Sequence, residues 1–185
     1  MARLVGGLLF TAITQFVIFL RVAESIYPGY SISGNYISDL GVGPAAPVFN
    51  TSIILLGLAV AVSSYLIRPI FRDRLLPPLL FLAGLGAAGV GVFPEGSPYG
   101  LHTLMSFIVF FFAGVSALYT SRLVSMPLNI FSAVMGVLTL AALSLFAAGV
   151  YLGLGPGGME RLIAYPPLMW GVAFAGYLMG LKPEK

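Results

Sequence analysis

The sequence predicts an all-α, polytopic membrane protein with six transmembrane helices, and three observations carry that prediction. Hydrophobic residues make up 59% of the 185-residue chain and charged residues only 8%, where a soluble domain carries about 25% charge. Mean hydropathy is +1.02. Six separate stretches approach the roughly 20 apolar residues that a helix needs to cross a bilayer. So few charges cannot cover a water-facing surface, so the chain is expected to be a multi-pass protein of the cell membrane. No second domain or internal repeat is evident, and residues 1–185 read as one transmembrane domain.

Taken in order, the first span runs from about Leu4 to Leu20 and is closed by Arg21. Its run is long for a signal peptide, and Arg21 stands where a small-residue cleavage site would be, so an uncleaved span is expected. The second runs from Pro47 to Ile67, the third from Leu75 to Phe93 and the fourth from Leu101 to Thr120. The fifth runs from Pro127 to Leu152 and the sixth from Leu162 to Leu181. The third is dense in small residues (Gly84, Gly86, Ala87, Ala88, Gly89, Gly91). Such residues let helix backbones approach closely in lipid, which places this span centrally. Phe107, Phe110, Phe111 and Phe112 in the fourth read as packing or lipid-facing side chains. Pro166-Pro167 in the sixth should kink it.

Orientation follows the Lys and Arg residues. Six spans put both termini on one side. That side carries Arg3, Arg68, Arg72, Arg74, Arg122, Lys182 and Lys185, seven of the nine basic residues. It is therefore read as cytoplasmic. The sequence pI near 9.3 then reflects topology rather than a nucleic-acid surface, because the basic residues are scattered over short loops. The outer side receives Glu24, Asp39, Glu95 and Glu160 with the only histidine, His102. Positive-inside bias does not account for that asymmetry.

The one long connection, Glu24 to Asn50, lies on the outer side. Tyr27, Pro28, Gly29 and Tyr30 suit the headgroup level. Asn35 can cap a short helix over Tyr36 to Leu40, with Gly41 as its stop. This loop is expected to lie over an outer pocket, with Asp39 pointing inward.

The run Asn35-Tyr36-Ile37-Ser38-Asp39-Leu40-Gly41 after the first span, Pro47-Val48-Phe49-Asn50 opening the second, and His102 after a Pro-containing turn form a pattern. It resembles the prokaryotic family catalogued as domain of unknown function 998. More distantly it is similar to six-span eukaryotic proteins, the autophagy modulators and the proteins that remodel lipids of glycosylphosphatidylinositol anchors. The first resemblance implies no activity. The second implies lipid handling.

For chemistry, His102 is the sharpest candidate, because its imidazole can serve as general acid or base near neutral pH. Asp39 or Glu95 would orient it, and Ser106 lies one turn along the same helix face. A Ser–His–Asp arrangement can be drawn, although such triads are recognised by geometry. An equally simple reading has His102 bond Asp39 merely to pin the loop. Arg21, Asn35, Ser38, Arg161 and Tyr165 are the candidate headgroup-binding residues. No metal or cofactor is expected, since one His and no Cys make a poor zinc site. Asp39, Glu95 and Glu160 leave a Ca²⁺ or Mg²⁺ site open. Three functions follow: binding or remodelling a membrane lipid in an outer pocket, a non-catalytic accessory subunit that pairs with itself or with a membrane partner, and a small-solute transporter. The last is disfavoured by the scarcity of charge within the spans.

Overall fold

The structure, a computed structural model, describes residues 1–181; Lys182 and Lys185, counted above as basic residues of the inner side, lie outside the described residues. Helices dominate it, and no strand occurs among the described residues. The helices are α1 (Ala2–Ile26), α2 (Ala46–Leu66), α3 (Arg68–Phe71), α4 (Leu76–Val92), α5 (Leu101–Thr120), α6 (Leu128–Ala147) and α7 (Gly155–Gly180). Five of them are long and apolar enough to cross a membrane. The sixth apolar helix, α4, has 17 residues, about 25 Å at the helical rise against a hydrocarbon core of about 30 Å. Pro77 and Pro78 in its first turn account for the late start.

The long helices form a closed ring in which α1 packs on α2 and α7, α2 on α4, α4 on α5, α5 on α6, and α6 on α7. Large apolar side chains such as Ile18, Leu58, Phe81, Phe107, Ile130 and Met169 remain exposed around its outside. Burial therefore does not drive these faces together, and close approach of small residues does. A Cβ on Gly57 would stand 2.3 Å from the Ala88 nitrogen, and one on Gly86 2.4 Å from the Val109 nitrogen. The small-residue run thus seats α4 closely between α2 and α5, as one member of the ring and not, as its composition suggests, at the centre of the bundle. Gly136 does the same for α6 against α5, and Gly6 for α1 against α7.

Several boundaries differ from the sequence expectation. Helix α1 does not stop at Leu20 but continues for six residues to Ile26, so Arg21 and Glu24 are helical. Helix α7 begins at Gly155, not Leu162, which makes Glu160 and Arg161 residues of its second turn. Pro156 near its first position is preorganised for a helix start. In both cases charge marks a helix end to a reader of the sequence, but here the charges pair inside the fold. Helix α6 ends at Ala147, five residues before the expected Leu152. The outer helix is shorter than expected, a 3₁₀ turn at Ser38–Gly41 followed by another at Gly43–Ala45. Pro166 and Pro167 lie inside an unbroken α7.

Candidate functional site

The outer loop is fastened to α7 by side chains that the sequence scatters along the chain. Arg161, buried at 5% exposure, donates to Glu24 Oε1 at 2.8 Å and to the Tyr30 hydroxyl at 2.6 Å. Its other terminal nitrogen donates to the carbonyls of Ile32, Asn35 and Gly157. Arg21 pairs with the second oxygen of Glu24 and keeps a side chain 64% exposed. Tyr30 in turn donates to the Tyr36 carbonyl at 3.0 Å. Burial pushes the Tyr30 hydroxyl up to about 12, against the lowering pull of Arg161. The α7 backbone also comes close: Gly157 N donates to the Ser33 carbonyl, and a Cβ on Gly157 would sit 1.9 Å from the Asn35 oxygen.

Glu160 is the residue that ties this strap to the interior. Its carboxylate accepts the backbone N–H groups of Ile37 and Ser38. These are orphan donors at the start of the 3₁₀ turn, which a helix end must satisfy somewhere. Asn35 does not cap that turn, contrary to expectation. Its carbonyl oxygen accepts Ser31 N, and its amide donates to Asp39 at 2.9 Å.

Asp39 is half-buried and is not among the residues that line the interior cavity. One carboxylate oxygen accepts from Asn35 and from Tyr36 N, and the group hydrogen-bonds Glu95 on the α4–α5 turn. Partial burial, then the bond to and charge of Asp39, hold the Glu95 carboxyl above its ordinary value. The expected pairing of Asp39 or Glu95 with His102 is therefore replaced. His102 Nδ1 donates to the Phe93 carbonyl at 2.9 Å, and Nε2 faces the Ser106 hydroxyl at 3.3 Å. A carbonyl can only accept, so Nδ1 carries a proton, and in that tautomer Nε2 accepts from the Ser106 hydroxyl. The two carboxyls and His102 thus form separate clusters, and no group of three metal-binding side chains occurs among the described residues.

Inside the ring lies a cavity with an empty volume of about 1030 Å³, its open side included. Helices α1, α2, α4, α5 and α7 supply an almost wholly apolar lining, from Ile37 and Phe49 down to Leu9, Leu80 and Phe174. Along α7 it reaches from Glu160 to Phe174, about 21 Å by helical rise. Trp170, on this wall, stacks on Phe174 and donates to Ser132. Ser38 and Glu160, two of the cavity's few polar residues, stand together at its outer end, and Ser106 opens onto it from α5.

Of the residues proposed from sequence, Ser38 lines this cavity, while Tyr165 packs half-buried against the surrounding core. Arg21 and Arg161 are engaged by the strap. Glu160 and Ser106, read from the sequence as a possible cation ligand and as a partner of His102, both line the cavity.

No curated protein and no solved structure matches the chain. A family model described as "protein of unknown function (DUF998)" matches residues 4–177. That span takes in the asparagine-led outer loop, His102 and the Glu160–Arg161 pair together, and the chain belongs to this family.

Proposed function

We propose that this protein crosses the membrane six times, with both termini in the cytoplasm, and that its central cavity holds an amphipathic membrane lipid. The sixth span would be α4, whose ring neighbours on both sides, α2 and α5, are long enough to span. Irregular backbone at that depth would be tolerated only inside protein, and α4 is regular. The basic residues on the loops that join α2 to α4 and α5 to α6 support the orientation.

One observation carries the lipid reading: an apolar cavity about the length of a long hydrocarbon chain ends at Ser38 and Glu160. A small solute would need polar contacts along its path, and the lining offers few. The accessory-subunit reading draws on the Glu24–Arg161 strap, which by itself needs no ligand.

Lipid mass spectrometry on protein purified in mild detergent tests the reading. Wild type should retain a stoichiometric lipid, and Ala113→Phe, which fills the cavity from α5, should lose it while keeping its thermal transition. Ala164→Phe fills the same space from α7 should the first variant fold poorly. Wild type without a defined lipid, or folded variants that retain it equally, would sink the proposal.

A further inference from the structure

We infer that the head of the bound molecule is a hydrogen-bond donor without anionic charge, a hydroxyl or amine on a long hydrocarbon chain; this rests on the cavity reading above. The headgroup chemistry follows from which hydrogen-bonding valences the cavity leaves unused.

The cavity presents acceptors. No Lys, Arg or His is among its lining residues. Arg161, the nearest cation in sequence, is not among them; it spends both terminal nitrogens on Glu24, Tyr30 and three carbonyls, and only its buried Nε lacks a partner. Glu160 offers carboxylate lone pairs beyond those taken by Ile37 and Ser38. Ser106 gives its only proton to His102, because His102 gives its own to the Phe93 carbonyl. What Ser106 turns to the cavity is therefore a lone pair.

A phosphate or carboxylate head would meet these acceptors with acceptors of its own. It would lose its water and gain no partner, a cost that discriminates strongly in a dry site. A hydroxyl or ammonium group would satisfy Glu160 or Ser106 directly, and the carboxylate would favour the cation further. Arg21 and Arg161, candidate headgroup-binding residues in the sequence, bond instead within the strap.

The sole tryptophan of the chain, Trp170, lines the cavity and reports on it. The full-length protein in detergent is titrated with bromine-labelled chains of one length that differ only in the head: alcohol, amine, carboxylate and phosphate. Quenching of Trp170 fluorescence at pH 8 gives the half-saturation of each. Alcohol and amine should saturate at concentrations at least about tenfold lower than carboxylate and phosphate. Glu160→Gln keeps an acceptor for Ile37 and Ser38, and should bring the amine down to the affinity of the alcohol. Ser106→Ala, remote from the strap, should weaken alcohol and amine but not carboxylate. Equal or tighter binding of the anionic chains overturns the head assignment and leaves the cavity reading standing. If no chain quenches Trp170, the cavity reading itself fails. An amine advantage unchanged in folded Glu160→Gln removes Glu160 from the site.

Discussion

Arg161 and Glu24 form a buried ion pair at 2.8 Å between side chains 6% and 5% exposed, and they stand 137 positions apart in the chain. The pair joins the last turn of α1 to the second turn of α7 and closes the ring at its outer end. Removing one partner of a buried pair strands the other charge and costs about 3–5 kcal/mol. Arg161→Met and Glu24→Gln should each lower the thermal transition in detergent markedly. The double variant should lose less than the sum of the two, because no stranded charge remains. Thermal unfolding across this double-mutant cycle checks it; additive losses would mean that the pair is not coupled.

Asp39 on the outer loop interacts with Glu95 on the α4–α5 turn, and that interaction helps to hold the Glu95 carboxyl above its ordinary value. Glu95 binds its proton more tightly in the folded protein than in the unfolded chain. Its contribution is therefore fully present below the ordinary value of 4.5 and is lost as pH rises through the raised value. Because Glu95 is exposed, solvent screens the effect and it should be small. Protection of residues 36–42 against hydrogen exchange, taken relative to the intrinsic rate at each pH, should rise on acidification from neutral pH. Glu95→Gln, which keeps a permanent donor, should flatten that dependence.

Close helix approach at Gly57 and Gly86 leaves no room for a methyl group against backbone atoms. Gly57→Ala and Gly86→Ala should each destabilise the ring by about 1–3 kcal/mol, the usual range for overpacking. Gly7→Ala and Gly176→Ala, where a Cβ meets nothing within 4 Å, serve as controls and should not destabilise. The comparison is read from unfolding midpoints of the four variants.

His102 and Ser106 separate structure from binding. His102→Ala frees the Phe93 carbonyl and loosens the α4–α5 turn, so it should lower the unfolding midpoint. Ser106→Ala gives up one hydrogen bond worth about 0.5–1.5 kcal/mol and should act mainly on lipid retention. Retention and midpoint, measured on the same preparations, distinguish the two.

The ring was legible in the sequence wherever apolar runs and small residues govern it. Helices α2, α4 and α5 lie within a few residues of their expected bounds, and the glycines of α4 do pack it between neighbours. What the sequence hides is long-range pairing. Glu24, Glu160 and Arg161 read as loop charges because nothing local says that Arg161 will meet Glu24. The same holds for Glu160, which caps a 3₁₀ turn 123 positions away. A cap taken from another helix leaves no spacing signature, so Asn35 and Asp39 look like the functional acids and caps instead. His102 was visible as the lone histidine, yet its partner is a backbone carbonyl, which no side-chain pattern announces. The cavity has no sequence signal at all, since its lining is ordinary apolar residues that the ring merely fails to bring into contact.

The most direct test of the central claim compares two neighbouring phenylalanines on α5. Phe110 lines the cavity, and Phe107 is 51% exposed on the outside of the ring. A photo-reactive phenylalanine analogue is placed at one position or the other, irradiated in native membranes and analysed by intact mass. The cavity account predicts that position 110 captures one discrete lipid species while position 107 captures the bulk lipid mixture. The same mixture at both positions, or no capture at position 110, would contradict it.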